Sequence, residues 1–128
     1  MPKEYQPKTK YSLPHNEYMQ MVYLVRDYDR MKTEYEMLIE ESPPPPDGMP
    51  RGTKTGDPTS AKALRLSDLK RKITAVEEGL ATVPEEYRKS VYLNVAYRIP
   101  YDARYVSIRT YSYHKSKMMW TILRKLQA

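Results

Sequence analysis

Apolar residues recur along this chain at helical intervals. Met21, Leu24, Tyr28, Met31, Tyr35 and Leu38 are spaced 3-4-3-4-3, the seam of a helix that packs lengthwise against a partner, and Tyr18, Val25 and Ile39 widen the stripe. The spacing predicts one long helix over residues 14–41. Leu66, Leu69, Ile73, Val76, Leu80 and Val83 repeat the same intervals, with Pro58 in the first turn of this second helix and Asp57 or Thr59 as its cap. Gly79 weakens that helix by about 1 kcal/mol relative to Ala, so it marks a bend or a close approach. Pro84 followed by Glu85 and Glu86 announces a third helix over 84–98, with Tyr87, Val91 and Val95 on one face. After the segment PYDARYV, Ser107 caps a last helix over 108–126. Its inner stripe is Ile108, Tyr111, the Lys115 stem, Met119, Ile122 and Leu126.

Between the two seams lies ESPPPPDGMPRGTKTGDP. Four consecutive prolines cannot continue a helix, and Gly48, Gly52 and Gly56 add turns, so residues 42–56 read as a stiff loop. Residues 1–13 are polar, carry Lys3, Lys8 and Lys10, and read as a flexible basic arm. The expected fold is all-α: a long antiparallel helical hairpin over 14–83, then a helix-turn-helix-like basic region over 84–128. The hairpin interface would be Met21, Leu24, Tyr28 and Met31 against Leu66, Leu69, Ile73 and Val76. The two seams could close on each other within one chain or pair between two copies in a homodimer.

Composition narrows the function. The chain has 128 residues, 40% hydrophobic and 30% charged, which suits one ordinary domain. It has no cysteine, so disulfides and thiolate metal sites are excluded, and its two histidines, His15 and His114, lack paired-ligand spacing; no metal or other cofactor is expected. No apolar run approaches the roughly 20 residues of a membrane span, and a cytoplasmic location, in a bacterial host cell under the resemblance below, is the expectation. There is no G-x-S-x-G, no phosphate-cradling glycine loop and no cysteine nucleophile, so the chain does not read as an enzyme.

Charge is unevenly placed. Residues 1–86 carry 13 Lys+Arg against 15 Asp+Glu, whereas residues 87–128 carry 9 against Asp102 alone. Such asymmetry is the footprint of a polyanion-binding end on a near-neutral body, and double-stranded DNA is the expected partner. The segment VSIRTYSYHKSK (106–117) has no acid and opens the last helix, where a helix-turn-helix presents side chains to base edges. Arg104, Arg109, Tyr111, His114, Lys115 and Lys117 are the candidate DNA-contacting residues, with Arg109, in the first turn, the base reader.

The run GDPTSAKALRLSDLKRKITAVEEGLATVPEEYRKSVYLNV, the Pro-Tyr connector and the helix RTYSYHKSKMMWTILRKL resemble the RinA-like late-transcription activators of phages of Gram-positive bacteria. The resemblance covers residues 56–126 and rests on Asp-Pro-Thr at 57–59, Pro-Glu-Glu-Tyr-Arg at 84–88, and Arg-Thr-Tyr at 109–111 with Lys115 and Lys117. It implies a regulator of late or packaging genes, related in pattern to the promoter-reading region of sigma factors, with host RNA polymerase as a further partner. One departure is that Tyr101 to Val106 is shorter than the usual two-turn helix and no glycine follows Gly79. Two other readings fit the same pattern: a small-terminase-like packaging or structural component, and a protein-interaction module that uses the hairpin.

Overall fold

The computed structural model describes residues 6–41, 58–101, 104 and 106–128, without the side chains of residues 58 and 59. The expected proline-rich loop, Asp57 as a cap and Lys3 lie outside the described residues. The chain is all-α, with helices α1 (His15–Arg26), α2 (Tyr28–Glu40), α3 (Pro58–Ala81), α4 (Glu85–Tyr97) and α5 (Ile108–Gln127).

The long first helix expected over 14–41 is two helices. The seam runs through the join without interruption, but Asp27 has φ −86° and ψ −4°, and its N–H is shared between the carbonyls of Tyr23 and Leu24, both at 3.1 Å. Such sharing between the i−4 and i−3 acceptors tightens the turn. No proline or glycine causes it. Tertiary contacts grip the chain on both sides of the join: Arg26 Nε donates to the Val95 carbonyl of α4 at 3.0 Å, and Tyr28 donates to Glu77 of α3 at 2.6 Å. Asp29, in the first turn of α2, accepts from the Tyr97 hydroxyl of α4.

Two apolar clusters follow from this division. In the larger, Tyr18, Met21, Val22 and Val25 of α1 meet Ala75, Val76, Val83, Val91, Val95, Tyr111, Met118, Met119 and Ile122. The smaller joins Met31 of α2 to Leu69 and Ile73 of α3, flanked by Leu24, Tyr28, Tyr35 and Leu38. Helices α2 and α3 run antiparallel, because Tyr28 pairs with Glu77 while Glu34 takes a two-pronged contact from Arg65 at 2.6 and 2.8 Å. Of the expected interface residues, Met31, Leu69 and Ile73 close on each other within the chain, and Met21 and Val76 belong to the larger core.

Helix α3 crosses α5 closely at Gly79. A Cβ there would collide with Ile122 Cγ1 and lie 3.1 Å from both Ile122 Cδ1 and the Met118 carbonyl. The glycine therefore serves a close approach, not a bend. Further along, Arg71 donates to the Leu126 carbonyl at 3.2 Å and Lys125 pairs with Glu78 at 3.4 Å, so α3 and α5 are also antiparallel. Arg98, at φ 59°, ends α4 in the left-handed conformation, and Asn94 Nδ2 donates to the Ile99 carbonyl at 3.0 Å just past it.

Candidate nucleic-acid interface

Helix α5 contains no acid, and its N-terminus is built as its sequence predicts: the Ser107 hydroxyl accepts from the Thr110 N–H at 3.2 Å. The first turn projects from the bundle, with Ile108 59% exposed and Arg109 exposed beside it. At 100° per residue, Arg109, Tyr113, Lys117, Trp120 and Arg124 share one stripe of α5 about 80° wide. The opposite side holds Tyr111, Lys115, Met118, Met119 and Ile122, all buried.

That opposition separates the six expected DNA-contacting residues. Arg104 and Arg109 are exposed, and His114 and Lys117 lie half-buried at the surface. Tyr111 and Lys115 differ from the expectation: they are core residues, 4% and 5% exposed. The Tyr111 ring stacks on Tyr101 at 4.7 Å and 8°, and Lys115 Nζ donates to Asn94 Oδ1 of α4 at 3.1 Å. Their place on the inner stripe was readable from the 3.6-residue period, which outweighs their chemical suitability for DNA.

His114 sits between the rings of Tyr87 and Tyr113, at 5.6 and 5.2 Å. Its Nδ1 is buried and makes no hydrogen bond within the described structure. Burial, and then the charge of Lys117, holds its pKa below the ordinary imidazole value.

Residues 6–13 do not trail away as the flexible arm read from composition. They form a compact turn, in which Gln6 Nε2 donates to the Leu13 carbonyl at 2.9 Å and the Thr9 N–H donates to the Ser12 hydroxyl at 2.9 Å. The turn lies across the middle of α5. Tyr11 meets Tyr113 and Trp120 edge-on at 5.9 and 5.2 Å, and Ser116 is buried beneath. Lys10 and Lys117 both approach the Tyr11 ring, at 5.2 and 5.5 Å from its centroid, and Arg124 lies 5.0 Å from that of Trp120. Lys10, Tyr11, Tyr113 and Trp120 are residues the sequence reading did not select. Their i, i+4, i+8, i+11 spacing from Arg109 was a usable signal for Tyr113 and Trp120, but nothing local points to Lys10 or Tyr11.

Elsewhere, an open groove of about 460 Å³ along α2 is lined by Asp29, Arg30, Thr33, Glu34, Met37, Leu38 and Glu41. Its charged groups are of both signs, and Arg30 and Glu34 are engaged in ion pairs. Among the described residues, no three His, Cys, Asp or Glu side chains are placed to hold a metal, and no helix is long and apolar enough to cross a membrane. No protein-family model matches the chain, and no curated protein or solved structure shows significant similarity to it.

Proposed function

We propose that this protein is a duplex-DNA-binding transcriptional regulator, of the kind the RinA-like resemblance implies, which reads DNA with the first turns of α5. In this reading α4, the connection after it and α5 act as a helix-turn-helix-like unit, with the α2–α3 arm as a separate lever for assembly or polymerase contact. The observation that carries it is the exposed, capped and acid-free start of α5, with Arg109 at its tip and a one-signed stripe behind it. Arginine in the first turn of a helix can fork onto the O6 and N7 of guanine in the major groove, and the lysines behind it meet phosphates. Of the six residues first considered, the DNA-facing set is then Arg104, Arg109, His114 and Lys117.

The test compares Arg109→Ala and Lys117→Ala on a duplex selected from a randomised library and on its scrambled counterpart. Arg109→Ala is expected to lose about 1–3 kcal/mol on the selected duplex and much less on the scrambled one. Lys117→Ala should weaken both and lower the salt dependence by about one counterion. Equal losses on both duplexes for Arg109→Ala would reduce it to a phosphate contact, and the absence of any salt-sensitive duplex binding by the wild type would refute the reading.

A further inference from the structure

The turn at residues 6–13 occupies the stripe of α5 that a groove-lying helix would need bare. Tyr11 packs edge-on against both Tyr113 and Trp120, so the middle of that stripe is partly covered, while Arg109 at its start and Arg124 at its end are exposed. A helix with such a strap across its middle cannot lie flat along a groove; it can enter only by its N-terminal end. The dimensions agree. Lys117 lies about 12 Å along the axis from Arg109 at 1.5 Å per residue, and a major groove is about 8.5 Å deep. With Arg109 at the base edges, Lys117 and the strap arrive at the rim, where the phosphates are. Arg124 lies about 22 Å from Arg109 along the axis, well beyond it.

Charge at that rim is concentrated. Lys10 and Lys117 flank one tyrosine ring, which brings their ammonium groups within roughly a Debye length, about 10 Å at 0.1 M salt, of each other. Among the described residues no ion pair involves either lysine. Lys8 and Lys10 are exposed on the same turn.

We propose that residues 6–13 are the phosphate-facing rim of the DNA site: docked through Tyr11 across α5, they limit groove entry to the helix tip and set Lys10 beside Lys117 against the sugar–phosphate backbone of a duplex. This rests on the DNA-binding reading above, and it adds a depth stop and a second segment of the chain to the interface.

The experiment uses the full chain and a fluorescein-labelled random-sequence duplex about three helical turns long, titrated between about 50 and 200 mM salt. Each phosphate contact contributes about 0.9 to the slope of log K against log salt. Lys10→Gln and Lys117→Gln should each lower the slope by about 0.9 and the affinity at 0.1 M salt by about eightfold. Arg124→Gln removes the same charge and should leave the slope within about 0.3 of wild type. Tyr11→Ala, which releases the strap without changing charge, should lose the Lys10 contribution and keep the Arg109-dependent preference for a selected duplex.

If the wild type shows no salt-sensitive duplex binding, the functional reading itself fails. If it binds but Lys10→Gln keeps the full slope, or Arg124→Gln loses as much as Lys117→Gln, the helix does not enter end-on and the rim is overturned. Tighter duplex binding by Tyr11→Ala would make the strap a cover. Preference for a single strand of equal length would instead point to base stacking on Tyr113 and Trp120, and would overturn groove entry.

Discussion

Gly79→Ala should destabilise this protein, against the usual direction of the substitution. In an unobstructed helix the change gains about 1 kcal/mol, because alanine gives up less backbone freedom on folding. Here the added methyl would overlap Ile122 Cγ1 and press on the Met118 carbonyl at 3.1 Å. Neither can yield cheaply. Cγ1 is bonded directly to the branched Cβ of Ile122, which has one strongly preferred rotamer in a helix, and Ile122 has no exposure through which to swing out. The carbonyl is fixed in the α5 backbone, so α5 must shift away from α3 at the point where the two helices are closest. Overpacking costs about 1–3 kcal/mol, and with a branched side chain and a backbone carbonyl both in the way the upper part of that range, about 2–3 kcal/mol, applies; set against the propensity gain it leaves a net loss of about 1–2 kcal/mol. For a chain of this length that is a fall of about 4–7 °C in Tm. Urea unfolding followed by circular dichroism measures it, and a cycle with Ile122→Ala isolates the cause: the double variant should be more stable than the sum of the single losses predicts. A Gly79→Ala protein as stable as wild type, or strictly additive losses, would refute the close crossing.

Two more outcomes separate core from surface along α5. Lys115→Met should keep wild-type duplex affinity and salt slope, with stability within about 1 kcal/mol of wild type by urea unfolding, because methionine fills the same buried channel without a charge; a slope lowered by a full counterion would return Lys115 to the DNA surface. His114 is held in the neutral form by the fold, so the unfolded chain takes up a proton first as the pH falls. Stability should therefore decline as the pH drops through the ordinary imidazole range toward the depressed value of His114, and His114→Gln should flatten that part of the pH–stability curve.

What was legible in the sequence was what is locally encoded. Ser107 as a cap, Pro84 before α4 and the inner stripe of α5 from Tyr111 onward are each set by residues within one or two turns; Ile108, expected on that stripe, is exposed instead, because the first turn of α5 reaches past the core. The two equal stripes called for an antiparallel partner but left open whether it lay in the same chain or in a second copy; the contacts of Met31 with Leu69 and Ile73 lie within the chain. The break at Asp27 was not legible, since the seam runs through it and the groups that hold the chain on either side of it, the Val95 carbonyl and the Glu77 carboxylate, lie far along the chain. The docking of Tyr11 on Tyr113 and Trp120 was hidden for the same reason: an aromatic contact across about a hundred positions leaves no period to detect. Lys115 and Tyr111 were selected for the chemistry of their side chains, a cation and a phenol that suit DNA, although the helical period already turned both toward the core.

The division at Asp27 also makes the two packing units independent in length. Beyond it, α2 and the first half of α3 rest on a small core of their own, with Met31, Leu69 and Ile73 at its centre. A seven-residue insertion in α2 matched by one in α3 would preserve both stripes and lengthen the arm by about 10 Å. The larger core, with α1, α4 and α5, would be left as it is. Arm length is therefore separable from the rest of the fold: a lengthened arm would leave the packing that holds the tip of α5 unchanged.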